Sequence, residues 1–311
     1  MGNGLFFLMC LPVILLINFI NNDFFSGEKT ADNNPANHYS TLSVEPKCTD
    51  CHAAIVEKKI LHAPLKESCR SCHLVNIPDH PEKLPKGLFL TKKIPDLCYA
   101  CHDKLKKEID TLRVVHLAVS DGKQCMNCHS PHSSDENKLL VATKKEICLN
   151  CHDKELSILG RKYTNIKQLL SKSKVIHSAI EGGCSVCHKA HGSEYNYLLI
   201  SAYPKGIYAP AKKDTFAFCF ECHDSDLLEL SKTTTATGFR QGKQNLHFVH
   251  LTGEKGRSCS VCHNAHASNN KFLIVDKVAY GKWEFRVNFA PTDSGGSCLP
   301  GCHGLTKYNR Y

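Results

Sequence analysis

The sequence predicts a chain of mostly irregular structure, with short α-helices and little β, folded around something other than its own side chains. Three observations carry this. The pattern Cys-x-x-Cys-His occurs eight times between Cys48 and His263, and a ninth copy, Cys298-Leu299-Pro300-Gly301-Cys302-His303, has one extra spacer residue. Each copy is served by only about thirty residues, too few for an independent hydrophobic core. The copies also form an internal repeat of four pairs and one single, which organises the chain from residue 47 to residue 311.

Cys-x-x-Cys-His is the attachment signal of c-type haem. Two thiols close thioethers with the haem vinyl groups, and the adjacent His falls beneath the iron. The eight regular motifs supply Cys48, Cys51 and His52; Cys69, Cys72 and His73; Cys98, Cys101 and His102; Cys125, Cys128 and His129; Cys148, Cys151 and His152; Cys184, Cys187 and His188; Cys219, Cys222 and His223; and Cys259, Cys262 and His263. The ninth supplies Cys298, Cys302 and His303. The expected fold is therefore short α-helices and irregular segments wrapped around nine covalent haems c. One hairpin is expected near the C-terminus, where residues 271–289 alternate about Tyr280-Gly281. A single Cys-x-x-Cys is equally compatible with zinc or a redox dithiol; eight that all continue with His are not. The motifs use 18 of the 19 cysteines and leave only Cys10.

The formal charge is +9, from 39 basic and 30 acidic residues. Each oxidised haem, with two propionates, adds about one negative charge, so nine roughly cancel this excess. No Lys/Arg run alternates with aromatics as a nucleic-acid groove requires, and no nucleic-acid partner is expected. No nucleophile–base constellation or phosphate loop supports hydrolytic or nucleotide chemistry.

Leu5 to Ile20 is almost wholly apolar but shorter than the roughly 20 residues of a spanning helix. Residues 1–25 read as a secretory signal peptide. The alternative is an uncleaved N-terminal anchor, because no Lys or Arg precedes the apolar run and no small-x-small site follows it. Residues 26–46 read as a flexible lead-in. The cytochrome region, 47–311, then contains pairs at 48–73, 98–132, 148–191 and 219–266, and the terminal motif at 298–303. Within three pairs the first motif continues with Asp (Asp103, Asp153, Asp224) and a charged, helix-compatible stretch. The second motif runs into Cys-His-x-x-His, a Ser-containing turn and an apolar run: 138–141, 197–200 and 271–275. Those aspartates read equally as helix starts or as groups orienting a haem ligand. Thr233 to Gly238 reads as a surface loop.

Ten His lie outside the motifs: His38, His62, His80, His116, His132, His177, His191, His247, His250 and His266. Nine haems with two axial His each need nine of them. His62, His116, His177 and His250 precede the second motif of their pairs by seven or nine residues. His80, His132, His191 and His266 follow it. A His three residues past a proximal ligand is on too short a tether to reach the far face of its own haem, so it should serve a neighbour. The ninth distal ligand is expected to be His247, with His38 the other choice. The three Met are badly placed, which leaves bis-His, six-coordinate, low-potential iron.

With these motifs the chain resembles the doubled-CXXCH multihaem cytochromes c. The likeness rests on Cys184-Ser-Val-Cys-His-Lys-Ala-His191-Gly-Ser, on Cys259-Ser-Val-Cys-His-Asn-Ala-His266-Ala-Ser, on Asn245-Leu-His247-Phe-Val-His250 and on the Gly-Gly-Ser-Cys298 tail. It implies a wire-like array of bis-His haems in the periplasm or at the cell exterior of a bacterium. Such a protein carries electrons between redox partners, such as quinol-oxidising or terminal-reductase modules, and is not itself an enzyme. The competing readings are a multihaem reductase of nitrite, hydroxylamine or sulfur oxyanions, and a self-associating subunit of a conducting filament or outer-membrane conduit. A reductase needs one open or Lys-ligated iron, and no Cys-x-x-Cys-Lys is present.

Overall fold

Local structure follows the repeat. In the computed structural model, which describes residues 47–74, 89–158 and 160–311, all eight regular motifs adopt one tight turn. The His N–H donates to the carbonyl of the first Cys at 2.9–3.0 Å, as in His102 to Cys98 and His223 to Cys219. This single α-type turn holds two thiols and one imidazole together without any long-range packing.

The helices between motifs are short. Asp103–Thr111 starts directly after His102, buries Ile109 on one face and carries exposed i,i+4 pairs, Lys107–Asp103 at 3.1 Å and Lys106–Asp110 at 2.5 Å. Such exposed pairs are screened by solvent and contribute little. Lys144–Leu149 begins in a capping box between Thr143 and Glu146. Ile166–Lys172 is capped by Asn165, which accepts from Gln168 N at 2.8 Å. Leu246–Thr252 is capped by Asn245, which is fully buried.

Successive pairs are stitched by two-residue antiparallel ladders. Strand β1 (Ile60–Leu61) pairs with β3 (Ser133–Ser134), β2 (Val114–Val115) with β7 (Gly192–Ser193), and β6 (Val175–Ile176) with β10 (Ala267–Ser268). Each ladder continues into a backbone bond between two His: His62 N to His132 O, His116 N to His191 O and His177 N to His266 O, at 2.8–3.0 Å. The Ser of each ladder closes the expected turn. Ser193 Oγ donates to Leu199 O and accepts from Tyr195 N; Ser134 and Ser268 do the same with Leu140 and Glu136, and with Ile274 and Asn270. The arrangement is that of a solenoid, in which each unit leans on its neighbours.

Two small hairpins, β4 (Leu156–Ile158) with β5 (Arg161–Tyr163) and β8 (Arg240–Gln241) with β9 (Gln244–Asn245), lie between motifs. The expected C-terminal hairpin is present as β11 (Lys277–Tyr280) and β12 (Trp283–Arg286), turning at Gly281-Lys282. The structure adds a three-stranded sheet not expected from the sequence: β13 (Ala290–Pro291), β14 (Gly295–Cys298) and β15 (Thr306–Asn309). Its central strand, Gly-Gly-Ser-Cys, has no strand-like pattern. It pairs because Gly295 lets the backbones close up; a Cβ there would lie 1.9 Å from Tyr308 O.

Among the described residues the buried apolar side chains cluster around the fourth pair, where Ala209, Phe216, Leu228 and Leu251 are buried against Tyr203, Phe220 and Cys259. Several large apolar side chains stay exposed beside non-motif His: Leu61 next to His62, Val115 and Leu117 around His116, and Ile176 next to His177. Among the described residues no helix is long and apolar enough to cross a membrane. The apolar N-terminal run with Cys10, the lead-in with His38, and His80 lie outside the described residues.

Candidate haem and iron sites

The motif imidazoles do not stand alone. Eight of them face a non-motif His across a gap of one size. For second motifs of a pair the facing rings are His73–His132 at 5.8 Å between centroids, His129–His191 at 6.2 Å, His188–His266 at 6.1 Å and His263–His247 at 6.2 Å. For first motifs and the terminal one they are His102–His62 at 6.3 Å, His152–His116 at 6.4 Å, His223–His177 at 6.1 Å and His303–His250 at 6.4 Å. Metal–nitrogen bonds of about 2.0–2.1 Å on either side of one ion, with ring centres roughly 1.1 Å further out, give a centroid separation of about 6.2 Å. The gap therefore has the size of one ligated iron. Among the described residues no three His, Cys, Asp or Glu converge on a point. Each pair offers only two nitrogen donors, the donor set that fits a macrocycle supplying the other four.

The pairing is staggered. The His three residues beyond a second motif faces the second motif of the preceding pair: His132 faces His73, His191 faces His129 and His266 faces His188. The His ahead of a second motif faces the first motif of the following pair: His62 faces His102, His116 faces His152 and His177 faces His223. In all three cases the short tether leaves the ring facing a neighbouring motif and not its own. The sequence reading sends His247 to the ninth motif; the structure places it differently. His250 faces the terminal His303, and His247 faces His263 in its own pair. Both imidazoles sit on the helix Leu246–Thr252 at i,i+3 spacing, so one helix face serves two gaps. His52 ends the first motif; the two remaining non-motif His, His38 and His80, lie outside the described residues.

Backbone carbonyls orient the rings. His62, His116 and His177 place Nδ1 2.8, 2.9 and 3.0 Å from Pro131 O, Ala190 O and Ala265 O. His129, His188 and His263 place Nδ1 2.8 Å from Lys138 O, Tyr197 O and Phe272 O. A proton on Nδ1 donates to the carbonyl and leaves Nε2 free for a metal, the usual arrangement behind a ligating His. The carbonyls of Lys138, Tyr197 and Phe272 are aimed by strain. Lys138-Leu139, Tyr197-Leu198 and Phe272-Leu273 all have positive φ, between 55° and 60°. A left-handed non-Gly residue costs roughly 1–2 kcal/mol, and the same double outlier recurs at three equivalent places. The sequence signal was the recurrent apolar run; its conformation was not legible. Asp103, Asp153 and Asp224 have no hydrogen bond to an imidazole. Asp103 opens its helix and Asp224 accepts from Asp226 N at 2.9 Å, so both serve helix starts.

The thiols show the order of the motifs in space. Cys69 lies against Cys48; burial and the neighbouring Cys125 push Cys98 up to about 11, with Cys72 also near; Cys128 lies near Cys151. A hydrogen bond from Cys148 holds Cys184 down at about 6, and Cys187 neighbours Cys222. Cys219 hydrogen-bonds Cys259, and buried Cys262 lies near Cys298 and Cys302. Each motif thus lies near the next, and the nine follow one another in space as they do in sequence. Burial also favours neutral imidazole: His247 and His266 are both lowered to about 4.

The terminal motif absorbs its extra residue at Gly301. Its φ is +75°, and a Cβ there would lie 2.6 Å from the Phe285 ring. His303 then donates from Nδ1 to Gly304 O at 2.7 Å and faces His250.

Comparison with known proteins agrees with this geometry. The doubled CXXCH motif model matches residues 62–107, 116–156, 177–227 and 250–280, together more than half of the chain. Each of the first three segments opens with the His that faces the last motif inside the same segment. The fourth opens with His250, whose facing partner, His303, comes after a longer linker. Over 208 residues, 60% of this chain, the sequence is 27% identical to the multiheme cytochrome MtrA of Shewanella baltica (strain OS185). The chain spans about half the length of that relative.

Proposed function

Because the chain belongs to the doubled CXXCH family, whose motifs attach haem c covalently, we propose that it is an exported nine-haem cytochrome that passes electrons along closely packed bis-His haems between redox partners. The observation that carries this reading is the set of eight imidazole pairs, each joining one motif His to one non-motif His at 5.8–6.4 Å. The haems supply one-electron chemistry by changing between ferric and ferrous iron. The cysteines of the nine motifs would bind them, and at eight of the nine a motif His and a non-motif His would hold the iron between them. Two His at each of these eight irons would leave no position for a substrate there, which supports a carrier over a reductase of nitrite, hydroxylamine or a sulfur oxyanion. The relative's name, multiheme cytochrome, supports the same reading. The ninth haem is included because Gly301 accommodates the longer spacer and His303 faces His250.

In this reading electrons enter and leave at the two ends, the first motif at Cys48–His52 and the last at Cys298–His303. Periplasmic or cell-surface redox proteins are the partners that fit. A pyridine haemochrome count with EPR on the same fully loaded sample tests the reading. Nine haems per chain, nearly all low-spin, are expected. Four or five haems, or a substantial high-spin ferric signal, would overturn it.

A further inference from the structure

The Thr233–Gly238 loop does more than cross the surface. Thr233 is buried, and its Oγ1 accepts from Thr235 N and Ala236 N at 3.1 and 2.9 Å. This curls the loop so that Thr237 Oγ1 lies 3.1 Å from His247 Nδ1. The same oxygen accepts from Phe239 N at 3.0 Å. Phe239 O in turn accepts from Leu246 N at 3.0 Å, and Leu246 O accepts from His250 Nδ1 at 2.6 Å. The Phe239 ring lies 5.2 Å from His247 and 5.5 Å from His250, with Tyr308 against it at 5.0 Å. One short segment therefore touches the non-motif imidazoles of two neighbouring gaps.

The partner of His247 is unusual. At His62, His116, His129, His177, His188, His250 and His263 the Nδ1 atom faces a peptide carbonyl. At His303 it faces Gly304 O and also the Thr306 hydroxyl, at 2.7 and 3.1 Å; at His247 it faces the Thr237 hydroxyl. A hydrogen bond on the outer nitrogen raises ligand basicity, favours ferric iron and lowers the reduction potential. A hydroxyl is a weaker acceptor than a peptide carbonyl, and unlike a carbonyl it can be replaced without moving the backbone.

We propose that Thr237 is a positioning residue for the haem at Cys259–His263, where its hydroxyl fixes the tautomer and ring angle of His247 and sets that haem's reduction potential. Phe239 holds the hydroxyl in place and extends the same control to the ring of His250. This rests on His247 being an axial ligand, and the control for that is H247A, which should turn one haem high-spin.

The test is spectroelectrochemistry of the fully loaded protein with T237V, T237S and T237D. T237V removes the acceptor, and one of the nine one-electron waves should move to higher potential. T237D offers a charged acceptor and should move one wave lower. T237S should superimpose on the parent. EPR should show an unchanged low-spin count in all three. Waves that move the same way in T237V and T237D, or in neither, would overturn the proposal. Where T237V fails to load haem, the difference between T237S and T237D carries the test. If H247A leaves every haem low-spin, the ligand assignment fails instead.

Discussion

Replacing His191 by Ala probes the staggered pairing directly. His191 lies three residues after His188, so the two Cα atoms are at most about 11 Å apart. Facing imidazoles have centroids 6.2 Å apart. Adding roughly 3.4 Å from each ring centre to its Cα places facing Cα atoms about 13 Å apart. His191 therefore cannot close the haem of its own motif, and its ring faces His129 instead. Its backbone carbonyl, which accepts from His116 N at 2.9 Å, and the Val115–Gly192 ladder remain in H191A. The fold should persist while one haem of nine loses its sixth ligand. EPR should show one high-spin ferric haem per chain and a matching loss of low-spin signal. The haem is identified by combination. H191A with Cys125 and Cys128 also changed to Ala should lose that haem and its high-spin signal together. H191A with Cys184 and Cys187 changed to Ala should keep the signal. The opposite pattern would refute the stagger and with it the order of the array.

Three further outcomes follow from particular contacts. Asn245 is fully buried, donates from Nδ2 to Asp226 O, Leu227 O and Leu230 O, and caps the helix bearing His247 and His250. N245A loses the cap and leaves those carbonyls short of a donor, at a combined cost of about 2–4 kcal/mol, read as a lowered thermal midpoint. G301A must place a side chain at φ +75° against Phe285, a strain of at least about 1–2 kcal/mol; the haemochrome count should fall from nine to eight, and an unchanged count would remove Gly301 from the account of the terminal motif. Burial lowers His247 and His266 from 6.5 to about 4, so the folded chain binds fewer protons than the unfolded one across that window. Stability then rises with pH through it and is lost on acidification. Burial and iron ligation both oppose protonation of these His, so low-spin absorbance of the haems at Cys259–His263 and Cys184–His188 should hold from pH 8 to below about 5; conversion of all haems above pH 6 would contradict this.

The chain by itself determined the chemistry. Haem attachment is a local covalent property of five or six consecutive residues, so Cys219–His223 and its relatives read directly, as does the surplus of His that supports closed iron coordination. The mostly irregular fold followed from too little chain per motif to build a core, and the hairpin about Tyr280-Gly281 from simple alternation. Tertiary structure decided which His faces which. The ladders that stitch one pair to the next are two residues long and include Gly192 and Ala267, so they leave no periodic pattern. The exchange of His247 and His250 depends on where one capped helix comes to rest. The left-handed turns at Lys138, Tyr197 and Phe272 are equally hidden, because these residue types do not favour positive φ. They hold it because the carbonyls they aim meet the imidazoles of His129, His188 and His263, contacts that only the folded chain brings together.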